Sequence, residues 1–226
     1  MRRFLIFWMV LVISVVFSTF TLAVDFGIKG GVNFAKLKLE YFDIDGEFED
    51  EVIPVTNLRA FQIGAFFTFK VSKNISIQPE IYYVKKGTKA SQSESTQWYS
   101  YNMESIWKLH YIEIPVLLKI NIPTKGKFKP GFLIGPYVAH NIKAKMWAKT
   151  THEFQGEKFV DEGEEDILYI MESLDYGLII GSGMDIKIGS GKLVFDIRYC
   201  HGLANIFKYL GVVRNKTFVF MVGFGF

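Results

Sequence analysis

Apolar and polar side chains alternate with a period of two along most of this chain. The segment leading to residue 226 is the clearest case: Phe218, Phe220, Val222, Phe224 and Phe226 fall on one face, and Thr217, Val219, Met221, Gly223 and Gly225 on the other. A strand sends successive side chains to opposite sides, so the pattern predicts a β-strand with two unlike faces. Leu193, Phe195, Ile197 and Tyr199 likewise oppose Val194, Asp196, Arg198 and Cys200, and Ile112, Ile114, Val116, Leu118 and Ile120 oppose Tyr111, Glu113, Pro115, Leu117 and Lys119. One face is bulky and free of charge; the other holds charges and glycines. Eight such strands are predicted, at roughly 25–38, 57–71, 74–86, 108–121, 127–145, 166–187, 192–203 and 214–226.

The connections alternate in length. Tight turns fall near Ser72-Lys73, at 123–126 and at 188–191, whereas 39–56, 87–107, 146–165 and 204–213 are longer and polar. This rhythm predicts an all-β fold: an eight-stranded antiparallel up-and-down transmembrane β-barrel with short periplasmic turns and long extracellular loops. A soluble barrel of the same strand number would turn its apolar face inward. Three features argue for membrane: the apolar face is large and aromatic toward the strand ends, the polar face pairs glycines with opposed charges, and the sequence runs to an aromatic residue with no tail.

Composition agrees. Of 226 residues 50% are hydrophobic and 16% aromatic, with 22 Phe and 11 Tyr, a bias toward strand formers. The single Cys, Cys200, excludes an internal disulfide and a cysteine zinc site. The formal charge is +3, but without Arg2 and Arg3 only 24 of the 26 basic residues remain against 23 acidic ones, so net charge implies no nucleic-acid partner. Arg2-Arg3, the apolar stretch from Phe4 to Phe20 and Thr21-Leu22-Ala23 read as the three parts of a signal peptide. The expected organisation is a signal peptide at 1–23 and a barrel domain at 24–226, exported to the bacterial outer membrane. An uncleaved anchor is the competing reading, but strand-like sequence from Asp25 leaves it no linker.

Counted from the periplasmic end of each strand, Lys29, Glu80, Glu113, Asp196 and Arg198 lie at similar depth on the face opposite the aliphatic one. In so narrow a barrel they are expected to form a structural charge network that fills the lumen. A proton or ion path and a general acid–base pair are the functional alternatives, but a filled lumen admits no substrate. His110, His140, His152 and His201 show no metal-ligand spacing. No enzyme activity, cofactor or metal is therefore expected. Phe220, Phe224 and Phe226 have the alternation expected of a C-terminal signal for the barrel-assembly machinery.

The outer loops carry the remaining chemistry. Seven carboxylates stand between Glu40 and Glu51, and seven more between Glu153 and Asp166 with only Lys158 opposing. Solvated loops are the plain explanation; divalent-cation bridging to lipopolysaccharide is the sharper one, with Asp43, Asp45 and Glu47 offering hard oxygens. The 87–107 loop carries Trp98, Tyr99, Tyr101 and Trp107, a contact surface or a headgroup-zone anchor.

Several segments also resemble a known family. They are Gly27-Ile28-Lys29-Gly30-Gly31-Val32-Asn33, Gln78-Pro79-Glu80-Ile81-Tyr82 with Lys85-Lys86-Gly87, and Tyr111-Ile112-Glu113-Ile114-Pro115-Val116-Leu117-Leu118-Lys119. Gly135-Pro136-Tyr137, Asp175-Tyr176-Gly177 with Gly181 and Gly183, and Arg198-Tyr199 before Gly202-Leu203-Ala204-Asn205-Ile206 complete the set. In this order they resemble the PorT-like outer-membrane β-barrel family, often labelled a porin family. The resemblance implies an eight-stranded outer-membrane barrel and little about activity; the founding member is associated with protein secretion. The expected function is thus non-enzymatic: a structural, adhesive or assembly role through extracellular loops. The alternatives are a narrow porin for ions or small solutes and a lipid-modifying enzyme. Expected partners are outer-membrane lipid and lipopolysaccharide, the barrel-assembly machinery and a protein at the outer loops.

Overall fold

In the computed structural model, which describes residues 24–42, 48–50, 55–96, 98–154, 157–209 and 211–226, the strands follow one another as β1 (Val24–Phe42), β2 (Phe48–Asp50), β3 (Val55–Lys70), β4 (Ile75–Ser95), β5 (Tyr99–Asn121), β6 (Phe128–Phe154), β7 (Glu157–Asp166), β8 (Leu174–Ile188), β9 (Gly191–Gly202) and β10 (Val212–Gly225). Eight of them form a ring in the order β1, β3, β4, β5, β6, β8, β9, β10, and β10 pairs back onto β1 from Gly27↔Gly225 to Glu40↔Val212. β2 only folds back on the outer end of β1, and β7 on the outer end of β6. No helix among the described residues is long and apolar enough to cross a membrane. The strands can do so, because closing the ring pairs the backbone N–H and C=O groups that hydrocarbon cannot solvate.

The two faces of the wall are inverted relative to a soluble barrel. Ile28 is 61% exposed on the outer face, while Arg198 on the inner face is 2% exposed. Ile63, Phe132, Ile134 and Ile180 are exposed like Ile28, and Lys29, Glu80, Glu113 and Asp196 are buried like Arg198. Apolar groups outside and charges inside suit a lipid solvent.

The predicted wall is extended at its outer end. The segments expected as loops at 87–107 and 146–165 are strands: β4 and β5 stay paired to Ser95↔Ser100, and β6 pairs β7 from Lys145↔Asp166 to Phe154↔Glu157. Alternation failed to reveal them for a physical reason. From Ser91 to Ser95, and along all of β7, both faces are exposed to water, so neither face is selected to be apolar. The predicted sixth strand also began too early. β8 starts at Leu174, and residues 167–173 turn inward around a short 3-10 helix, Leu168–Ile170.

The opposite end carries the short turns. Between β8 and β9 the chain reverses through Gly189 at φ 58°, a left-handed conformation that glycine adopts without steric cost. The expected signal peptide at 1–23, and the acidic candidates Asp43, Asp45 and Glu47, lie outside the described residues.

Candidate functional site

The lumen is filled in four tiers. At the periplasmic mouth Lys119 pairs with Asp185 at 2.6 Å, while Lys70 and Lys192 each reach Asp25 at 3.0 Å. These groups line a cavity of about 460 Å³ that opens to the periplasm.

Deeper in, Lys29 donates to Glu80 at 2.8 Å and to Asp196 at 2.7 Å. Arg198 donates to both oxygens of Glu80 and to Asp196 at 2.7 Å. Gln78 adds a bond to Glu80 at 2.6 Å, and the Lys29 ammonium sits 4.6 Å above the Phe66 ring. Two cations thus meet two carboxylates away from water, where a lone charge would be costly. Small residues make the room: a side chain at Gly223 would overlap Lys29, and one at Gly183 would overlap the Asp196 carboxylate.

Of the five predicted lumenal charges, the structure brings together Lys29, Glu80, Asp196 and Arg198. Glu113 is buried too, but it does not join them. It lies in the third tier, 2.6 Å from Lys86 Nζ, with Asp175 at 3.4 Å from the same nitrogen. Strand shear explains the offset: equal depth along two strands is not equal height in a tilted barrel. Here the Lys86 ammonium lies over the rings of Tyr111 and Tyr137, and Asn215 donates to Asp175 at 3.0 Å. Lys86, Asp175, Lys119 and Asp185 are buried charges that the expected network did not include, although alternation had set Lys119 on the charged face.

The fourth tier is apolar and seals the outer end. Leu37, Val84, Leu109, Ile167, Met171, Ile206 and Val213 are buried together, with Trp107, Leu168 and Phe207 packed against them. Backbone bonds hold this plug: Glu172 N–H donates to Ile206 O at 2.9 Å, and Lys208 N–H to Ile170 O at 3.0 Å.

The histidines make local contacts. The Tyr83 hydroxyl lies 2.5 Å from His110 Nδ1, Tyr99 pairs with His152, and Tyr199 with His201. Cys200 is buried in the lumen. Among the described residues no cluster of three His, Cys, Asp or Glu could hold a metal ion. Phe220 packs edge-on against Phe34 and Phe218, and Phe226 lies against Phe26 and Phe224.

A closed ring with charges inside and apolar groups outside defines a bacterial outer-membrane β-barrel. The chain belongs to the outer membrane protein beta-barrel domain family, whose model matches residues 18–208, and the protein resides in the outer membrane. Among solved structures it resembles the outer membrane protease OmpT from Escherichia coli, with a TM-score of 0.52 and 10% identity over 92% of this chain and 98% of that one. It is also similar to the attachment invasion locus protein Ail of Yersinia pestis, with a TM-score of 0.36 and 11% identity over 89% and 98% of the two chains. For outer membrane protein W of Escherichia coli the TM-score is 0.39, with 15% identity over 92% and 99%. No curated protein matches the sequence.

Proposed function

We propose that this protein is a non-conducting, non-enzymatic barrel that works through its outer hairpins, in an adhesive or assembly role. The observation that carries this reading is the sealed outer end, where Ile167, Met171 and Ile206 are each at most 2% exposed. Beneath that plug the charge tiers fill the bore, so a solute would have to break buried ion pairs and displace an apolar core. Above it, the β4–β5 and β6–β7 hairpins present exposed Trp98, Phe154, Phe159 and Val160 to the outside. The likeness to a protease is one of fold. Three of the four histidines have tyrosine partners rather than a serine or cysteine nucleophile. The PorT-like motifs support a role beside a secretion assembly within this proposal, and the aromatic alternation of Phe220, Phe224 and Phe226 supports recognition by the barrel-assembly machinery.

Single-channel recording in planar bilayers tests the reading. The wild-type protein is expected to give no resolved open steps, and deleting the plug segment 203–209 alone is expected to leave conductance absent, because the buried ion pairs still fill the bore beneath it. Reproducible steps from the intact protein would favour the narrow-pore alternative.

A further inference from the structure

The outer wall carries two lysines flanking a histidine, and among the described residues no carboxylate answers them. The register sets Lys85 on β4 opposite His110 on β5, and His110 opposite Lys143 on β6. Directly opposed residues on one face have Cβ atoms about 5 Å apart, so the imidazole stands between two ammonium groups on adjacent strands. Lys143 joins the row only through a β-bulge. The β5–β6 register slips between Tyr111↔Asn141 and His110↔Lys143, so Ile142 and Lys143 are both exposed between buried Asn141 and Ala144. Strict alternation would have sent Lys143 into the lumen. A bulge that re-aims one side chain often marks a place where that side chain is used.

The neighbouring rows sharpen the contrast. One step outward, Lys108 opposes Lys145, and Glu164 from β7 answers both, at 3.2 Å from Lys108 and in contact with Lys145. One step toward the membrane lies the row of Tyr83, Ile112 and His140, with exposed Ile114 and Val138 beyond it. The basic row therefore stands on the upper edge of the apolar belt. Among the described residues no carboxylate pairs with Lys85 or Lys143; the Lys85 ammonium lies 4.6 Å over the Phe61 ring. Tyr83 engages His110 Nδ1 and leaves Nε2 for another partner.

We propose that Lys85, His110 and Lys143 bind a phosphate group carried by a lipid of the outer leaflet. The phosphate takes the place that Glu164 fills in the row above, and its acyl chains lie along Phe61, Ile112 and Ile142. A phosphate monoester carries more than one negative charge at neutral pH and several acceptor oxygens, which suits three donors on adjacent strands. Lipid, rather than a soluble anion, is the source because the row touches apolar wall.

Native mass spectrometry of the full barrel in an uncharged detergent tests this. The probes are a glucosamine-disaccharide lipid with two phosphates, the same lipid with both phosphates removed, and inorganic phosphate. Wild type is expected to retain the phosphorylated lipid and not the dephosphorylated one. The Lys85→Gln/His110→Gln/Lys143→Gln variant is expected to lose about tenfold or more in retention, for lost charge-assisted hydrogen bonds, while keeping its heat-modifiable folded form. Lys108→Gln, whose charge already has a carboxylate, is expected to change retention by less than about twofold. If the triple variant does not fold, Lys143→Gln alone, on an exposed position, is expected to weaken retention by about threefold. Equal retention of the dephosphorylated lipid, unaltered retention by the folded variants, or displacement of the lipid by equimolar inorganic phosphate would each overturn the proposal.

Discussion

Arg198 and Glu80 meet across the bore from β9 and β4, which stand on opposite sides of the eight-stranded ring. Both terminal guanidinium nitrogens donate to the two carboxylate oxygens, Nη2 to Oε1 at 2.8 Å. The pair is a cross-brace between strands that share no backbone hydrogen bond.

That geometry predicts a pattern of coupling. Removing one partner of a buried pair strands the other, at a cost of roughly 3–5 kcal/mol. Arg198→Met with Glu80→Gln, and Arg198→Met with Asp196→Asn, should each cost less than the sum of the single changes. Arg198→Met with Glu113→Gln should be close to additive, because Glu113 answers to Lys86. Urea unfolding in lipid vesicles measures all three cycles. Strong coupling to Glu113 and none to Glu80 would disprove the separation of the second tier from the third.

The β6–β7 hairpin should loosen in acid. Hydrogen bonds from Lys145 and Lys108 hold the Glu164 carboxyl below its ordinary value of 4.5. A depressed value means that the contribution is complete above the ordinary value and fades as pH falls through the lowered one. Amide-exchange protection of 145–149 and 162–166, corrected for intrinsic rates, should step down below about pH 4.5. Glu164→Gln should abolish the step. Identical profiles for the two proteins would refute the role given to Glu164.

Phe226 should matter to the seam. Its ring stacks on Phe26 at 5.3 Å, and its N–H donates to Phe26 O at 2.7 Å. Phe226→Ala should cost about 0.5–1.5 kcal/mol for the aromatic pair and lower the heat-modifiable fraction in the outer membrane. An unchanged gel shift and unchanged abundance would count against it.

Export predicts a trimmed chain. N-terminal sequencing of the membrane-localised protein should begin at Val24 or within a few residues of it. Finding Met1 on the assembled barrel would exclude cleavage.

The wall was legible in the sequence because lipid on one side and a charged bore on the other force a two-residue period. Where that contrast ends, the period ends too, which is why the β4–β5 and β6–β7 extensions read as loops. Lys29, Glu80, Asp196 and Arg198 were grouped by parity together with similar depth. Glu113 was given the wrong neighbours because shear cannot be read from one strand at a time. Lys86 stood at the end of a predicted strand; parity with Glu80 sends it inward, but its greater depth left it out of the layer counted from the periplasmic end. Lys143 needed the bulge at Ile142, which sequence does not announce. The plug was hidden because Ile167 and Met171 fell within the predicted sixth strand and Ile206 in a connection read as a polar loop; Ile206, within a family-like motif, was the one trace of it.

The β10–β1 seam has a consequence for how the molecule comes into being. Most of the ring is stitched by hairpins, whose contacts are near in sequence. The pairing of Gly27 with Gly225 and of Phe34 with Phe218 joins the two extremes of the barrel, so its loop-closure entropy must be met in one step. Until then the sheet has two raw edges. A chain held at that stage would offer β1 and β10 to any other strand, its own siblings included. The last ladder to zip therefore decides between a monomeric cylinder and an open, aggregating ribbon.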